Sequence, residues 1–281
     1  MEPILIAVLS ILAIGIAIWL IGMFLICPGP KREGIEKYKS VKFAHRGLHD
    51  SVKAENSMSA FAAAKENGFG IELDVRLSKD GELMVYHDDD LSRIVGIEGK
   101  FSDFTYAELS EMKLLGTDDK IPTFKEVLDL IDGDVPLLVE LKVASGERGV
   151  AKKFVEVIEG YKGDFIVESF NPFALRELRA LRPDIIRGIL STEYMKNPKH
   201  KGKTLFRMLQ NLQFNFLMRP DFIAYEKNGS GVRNLRRIRR SFETTLIAWT
   251  IKSQEEEDAA LNSGFDTVIF EGYIPQSKRS L

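Results

Sequence analysis

The chain alternates short apolar runs with helix-forming stretches, and the alternation lapses once. Nine runs read as strands: 41–44, 70–76, 85–88, 137–141, 165–170, 185–190, 222–225, 245–251 and 267–270. Strands that alternate with helices build a parallel sheet with right-handed crossovers. Between the second and third runs stands only 78–82, too short for a crossover, so those two must pair antiparallel. Setting that arm aside leaves eight strands, the number of a TIM (β/α)₈ barrel. The competing architecture is an open doubly wound sheet. It would carry a glycine-rich nucleotide fingerprint after its first strand, and His45-Arg46-Gly47 is not one. Residues 89–120 are less regular and read as a small insertion. Thr105 with Glu108, and Thr123 with Glu126, have capping-box spacing at two helix starts.

In such a barrel the active site lies at the C-terminal strand ends, and polar residues collect there. His45 and Arg46 close strand one. Glu72 and Asp74 are two apart on strand two and therefore point to one side. A turn centred on Asp80-Gly81 would set Asp74 opposite His87. Glu140 and Lys142 repeat the two-residue spacing, and Trp249 sits late in the chain. Three carboxylates offer oxygen ligands suited to Mg²⁺ or Ca²⁺ rather than zinc. Two histidines can act as general base and general acid, and Arg46 and Lys142 suit a phosphate. Glu140 and Lys142 could equally form an internal ion pair. Glu55 reads as a loop support or a site residue, and Trp249 as barrel packing or a glycerol-facing wall. His49 and His200 read as surface residues, and Asp88 as a support for His87 or a loop cap.

The motifs His45-Arg46-Gly47, Ala54-Glu55-Asn56-Ser57, Glu72-Leu73-Asp74-Val75, His87-Asp88, Ile121-Pro122-Thr123, Val139-Glu140-Leu141-Lys142, Ser169-Phe170 and Trp249-Thr250-Ile251 follow one another in that order. In this order they resemble the glycerophosphodiester phosphodiesterase family, from about residue 41 to the C-terminus. The resemblance implies a TIM barrel that hydrolyses glycerophosphodiesters to glycerol 3-phosphate and an alcohol with a divalent cation. It implies His45 and His87 as the acid–base pair, Glu72, Asp74 and Glu140 as metal ligands, and Arg46 and Lys142 as phosphate-binding groups. Residues 89–120 look like the family's insertion over the site. The nucleophile is water or the substrate's own glycerol 2-hydroxyl; His45 is assigned the base role, with the reverse assignment as the alternative. Three departures stand out. Ala54 replaces a usual proline, Glu168 stands where a small residue is common, and Ile269-Phe270-Glu271-Gly272-Tyr273 lacks the usual Thr-Asp.

The N-terminus has a different character. Residues 3–27 carry no charge and are almost wholly apolar, and about 20 such residues span a bilayer. No basic residue precedes the run and it is too long for a signal-peptide core, which favours an uncleaved transmembrane anchor over 1–27. Lys31, Arg32, Lys37, Lys39 and Lys42 follow it, so the positive-inside rule places the main domain in the cytoplasm. Residues 28–40 read as a linker and 41–281 as the catalytic domain. The sole cysteine, Cys27, excludes an intrachain disulfide, and a net charge of −2 selects no partner. The exception is 196–240, with twelve Lys/Arg against two acidic residues, interleaved with Leu, Phe and Met. No nucleic-acid motif accompanies it; a basic amphipathic surface beside an anchor suits an anionic membrane, with a solvated face as the alternative. The expected partners are a small glycerophosphodiester or, at the membrane, a lysophospholipid. Two alternatives to the main reading are a lysophospholipase D-like enzyme and a silent barrel that binds lipid headgroups.

Overall fold

A computed structural model of the chain describes residues 3–114, 116–143 and 148–276. Its strands are β1 (Phe43–Ala44), β2 (Gly70–Leu77), β3 (Leu83–Val85), β4 (Leu137–Leu141), β5 (Phe165–Ser169), β6 (Arg187–Ser191), β7 (Phe222–Glu226), β8 (Thr245–Ile251) and β9 (Thr267–Phe270). The helices are α1 (Pro3–Ile26), α2 (Met58–Glu66), α3 (Tyr106–Leu109), α4 (Phe124–Ile131), α5 (Val150–Val157), α6 (Pro172–Leu181), α7 (Thr204–Gln210), α8 (Asn215–Met218), α9 (Arg233–Phe242) and α10 (Gln254–Ser263). The sheet runs β1-β9-β8-β7-β6-β5-β4-β2-β3 and closes through a β1–β2 pairing. Eight strands are parallel, and β3 alone pairs antiparallel, with β2. The expected TIM-like barrel and its hairpin are therefore present.

The hairpin register differs from expectation by one residue. Val75 pairs with Val85 and Leu77 with Leu83, so Asp74 faces Tyr86, whose N–H donates to the Asp74 carbonyl at 3.0 Å. The turn is centred on Asp80 rather than between Asp80 and Gly81. Ser78 N–H already bonds to Glu82 O at 2.9 Å, leaving a three-residue loop that ends on Gly81 at φ 84°. A positive φ at that loop position is what glycine permits.

Packing accounts for the rest of the frame. The interior side of the barrel is filled by Phe43, Leu138, Ile166, Phe222, Ile247 and Ile269, all buried. Burying each such side chain contributes about 1.5–3 kcal/mol. The segment expected as a linker is part of this core. Residues Ile35–Ser40 form a 3₁₀ turn whose Ile35 and Tyr38 are buried with that cluster, and Tyr38 Oη donates to Phe165 O at 3.1 Å. Their spacing of three puts both on one side of the turn. On the outer face α4 buries Phe124, Val127, Leu128 and Ile131, and both capping boxes form. The insertion has a small core of its own, built on Tyr86, Leu91, Phe101 and Leu109.

Helix α1 is long and apolar enough to cross a membrane, and of its residues only Ile26 is buried. Its end rests on α8. The Phe24 and Phe216 rings lie 5.5 Å apart, the Arg219 guanidinium stands 5.6 Å from the Phe24 ring, and Asn215 Nδ2 donates to Ile26 O at 3.0 Å. The basic run 196–240 is not one continuous helix. It divides among α7, α8, β7 and α9, and α9 buries Leu235 and Ile238 against the barrel.

Candidate active site

Two neighbouring strands supply the acidic centre. Register places Asp74 of β2 beside Glu140 of β4, and Glu72 lies one inward-facing position below Asp74. Glu72, Asp74 and Glu140 are 2%, 1% and 5% exposed, and their ligand atoms lie within 4.8 Å of one another. Three buried carboxylates this close repel one another and need cations. Lys142, just past β4, provides one: its Nζ lies 3.0 Å from Asp74 Oδ1 and 2.7 Å from Glu140 Oε2.

Arg46 provides the second. The chain turns sharply after β1, with Arg46 at φ 55° and Gly47 at φ 82°, and a Cβ on Gly47 would stand 2.9 Å from Ala60. This turn aims the Arg46 N–H at Glu72 Oε2, 3.0 Å away, and brings its Nε to 3.4 Å from Asp74 Oδ2. Asn56 completes the support of Asp74, with Nδ2 donating to Oδ2 at 2.8 Å.

Each histidine carries a carboxylate on the same ring nitrogen. His87 Nδ1 is 2.7 Å from Asp88 Oδ1, and His45 Nδ1 is 2.6 Å from Glu271 Oε2. Arg93 of the insertion ties the two sides together. Its Nε donates to Asp88 at 2.6 Å, and its Nη1 and Nη2 donate to the two Glu55 oxygens at 2.8 and 2.7 Å. Glu55 in turn accepts from Arg46 Nη1 at 2.6 Å. An open cleft of about 410 Å³ is lined by His87, Glu140, Lys142, Ser169 and Phe170. Trp249 lies edge-on to Phe170 at 5.5 Å, and its indole N–H has no hydrogen-bond partner among the described residues.

Electrostatics separates the groups. Burial and the charges of Asp74 and Glu140 push the Glu72 carboxyl well above its usual range. Burial raises Glu140 to about 7, with Lys142 opposing. Burial opposes ionisation of Asp74 as well, but Lys142, His87 and Arg46 hold it below the ordinary aspartate range. Both histidines are lowered by burial, and the carboxylates opposite them, Glu271 for His45 and Asp74 for His87, resist that. The hydrogen bond to His45 brings Glu271 down to about 2.

The model of the glycerophosphoryl diester phosphodiesterase family matches residues 45–272, from the first histidine to the residue after Glu271. The chain belongs to this family. It is 32% identical over 247 residues to a glycerophosphodiester phosphodiesterase from Caldanaerobacter subterraneus subsp. tengcongensis, covering 82% of this chain and 93% of that one. Its fold matches an Oleispira antarctica phosphodiesterase solved in complex with the product sn-glycerol-3-phosphate, at a TM-score of 0.69 and 26% identity, covering 84% of this chain and 94% of that one. A lysophospholipase D from Rattus norvegicus is 30% identical over 144 residues, 47% of this chain and 45% of that one. The chain is thus an enzyme of the glycerophosphodiester phosphodiesterase class, and hydrolysis of glycerophosphodiesters is its reaction.

Three residues at this family site escaped the sequence reading. Glu271 was visible only as the place where a Thr-Asp pair is lacking. Arg93 lies in a segment with no motif. Glu168, another of the departures, is buried on β5 beside Glu140, has an Oε2 without a hydrogen-bond partner among the described residues, and is pushed well above the usual carboxyl range by burial and by Glu72, Glu140 and Asp74.

Proposed function

We propose that the chain hydrolyses glycerophosphodiesters by acid–base catalysis with His45 and His87, at a divalent cation held by Glu72, Asp74 and Glu140. The observation that carries this reading is the convergence of three buried carboxylates between two histidines whose Nδ1 atoms are already engaged. An all-oxygen donor set fits a hard cation such as Mg²⁺ or Ca²⁺. When bound, the cation supplies Lewis-acid neutralisation of the phosphoryl oxygens.

The chain's own groups do the rest. Arg46 and Lys142 draw the phosphodiester anion to the strand ends and stabilise charge that develops on its oxygens. His45 takes a proton from the nucleophile through Nε2; its burial keeps the ring neutral and ready near pH 7. His87 donates a proton to the leaving alcohol oxygen, and the arriving phosphate anion favours its protonated form. Water attacking directly gives glycerol 3-phosphate in one step. Attack by the glycerol 2-hydroxyl gives a cyclic phosphate first, which ³¹P NMR of the reaction distinguishes.

The anchor belongs to the same reading. Helix α1 holds the enzyme in the cell membrane, with 28–40 connecting it to a catalytic domain over 41–281 on the cytoplasmic side. Its exposed apolar surface over 24 residues and the basic residues that follow support this. A second reading, hydrolysis of lysophospholipids at the membrane, is favoured by the likeness to the rat lysophospholipase D and by the exposed apolar Leu205 on α7. Glycerophosphocholine and lysophosphatidylcholine, offered separately to the full chain in detergent, decide between them. Release of glycerol 3-phosphate from the first supports the main reading. Turnover of lysophosphatidylcholine alone selects the second, and turnover of neither contradicts both.

A further inference from the structure

Barrel closure brings together two residues that the sequence separates by almost the whole domain. In the β1–β9 pairing Ala44 lies beside Phe270, and His45 N–H donates to Phe270 O at 2.9 Å. The next step along each strand sets His45 beside Glu271. Glu271 is itself fixed: its N–H donates to Ile251 O at 2.8 Å, and its Oε1 accepts from Lys252 Nζ at 3.1 Å. The remaining oxygen, Oε2, reaches His45 Nδ1 at 2.6 Å.

We infer that Glu271 is the positioning residue for His45, supplied by the position that directly follows the last barrel strand. A carboxylate on Nδ1 requires that nitrogen to carry the proton, which leaves the Nε2 lone pair free toward the substrate. When Nε2 takes the nucleophile's proton, the ring becomes cationic and Glu271 stands against the new charge. Glu271 itself keeps no proton and touches no substrate. The corresponding acid for His87 is its sequence neighbour Asp88, which is held by Arg93. The two histidines thus have equivalent supports of separate origin.

This inference rests on the assignment of His45 as an acid–base group, so the test includes His45→Ala. The full chain, with Mg²⁺ and glycerophosphocholine, is compared with Glu271→Gln and Glu271→Asp. Glu271→Gln keeps the shape but offers an amide; kcat is expected to fall about a hundredfold, within the range of acid–base contributions, with KM within about twofold. Glu271→Asp retains a carboxylate and is expected to recover part of that loss. With four histidines in the chain, ¹⁵N spectra assigned by His45→Ala are expected to show His45 as the Nδ1–H tautomer in the wild type. A wild-type Nε2–H tautomer would overturn the inference without any Glu271 variant. So would a Glu271→Gln enzyme with unchanged kcat while His45→Ala is inactive, or Gln and Asp variants equally impaired. A fully active His45→Ala enzyme would instead overturn the acid–base assignment beneath it.

Discussion

Lys142 Nζ lies 3.0 Å from Asp74 Oδ1 and joins the end of β4 to the end of β2. It shares Glu140 at 2.7 Å, so one ammonium serves two buried carboxylates. Asp74 is 1% exposed and could not stay ionised there alone. The proposed phosphate-binding lysine is therefore also a structural counter-ion, and the two roles can be separated.

Lys142→Met should remove both. Breaking a buried pair by deleting one partner costs about 3–5 kcal/mol. Thermal denaturation should show a lowered midpoint that Mg²⁺ partly restores, because a cation supplies the missing positive charge. Activity should remain lost, since nothing replaces the phosphate contact.

The acidic centre should make stability depend on pH in a direction opposite to that of an ordinary salt-bridged carboxylate. Glu140 is raised from 4.5 to about 7, so the folded chain holds that proton more tightly than the unfolded chain does. Its contribution is then fully present below about 4.5 and is lost as pH rises toward 7. Glu72, raised for the same reason, acts in the same direction. A divalent cation competes with those protons. Urea midpoints measured with chelator and with Mg²⁺ should differ more at pH 8 than at pH 5. Equal increments at the two pH values would count against Glu72 and Glu140 as ligands.

Arg93 should matter although it touches no proposed reacting group. Its three donors hold Asp88 and Glu55, which position His87 and Arg46. Charge-assisted hydrogen bonds of this kind contribute about 1.5–3 kcal/mol. Because Arg93 is 47% exposed on its side chain, solvent screening takes the expected effect to the low end. Arg93→Ala should lower kcat/KM by about tenfold, and Arg93→Lys should recover little because an ammonium cannot fork. Steady-state kinetics on glycerophosphocholine reads both.

The barrel was legible because its signals are redundant. Every strand is a short apolar run, every crossover is long enough for a helix, and one missing crossover identified β3. The acids were legible from two-residue spacing at strand ends, and the histidines from their places after the first strand and the hairpin arm. What the sequence concealed depends on closure or on small offsets. Glu271 meets His45 only when β9 closes on β1, a relation with no local trace. The facing of Asp74 by Tyr86 turned on whether the loop after Ser78 holds three residues or four. The 3₁₀ turn at Ile35–Ser40 carries enough charge to read as a linker, although Ile35 and Tyr38 plug the barrel.

The proposed membrane anchor makes a separate prediction. With α1 intact, the full chain should stay with membranes through alkaline carbonate washing, which strips peripheral proteins. Protease added outside sealed cells should leave the barrel whole if it is cytoplasmic. Release by carbonate would contradict the anchor, and digestion in intact cells would reverse the orientation.

The most direct test of the whole account is cation dependence of product release. The full-length enzyme is treated with chelator, and glycerol 3-phosphate formed from glycerophosphocholine is measured before and after Mg²⁺ or Ca²⁺ is returned. The account predicts no release in chelator, recovery with one of these ions, and no recovery in Asp74→Asn. Undiminished release in chelator, or a fully active Asp74→Asn enzyme, would contradict it.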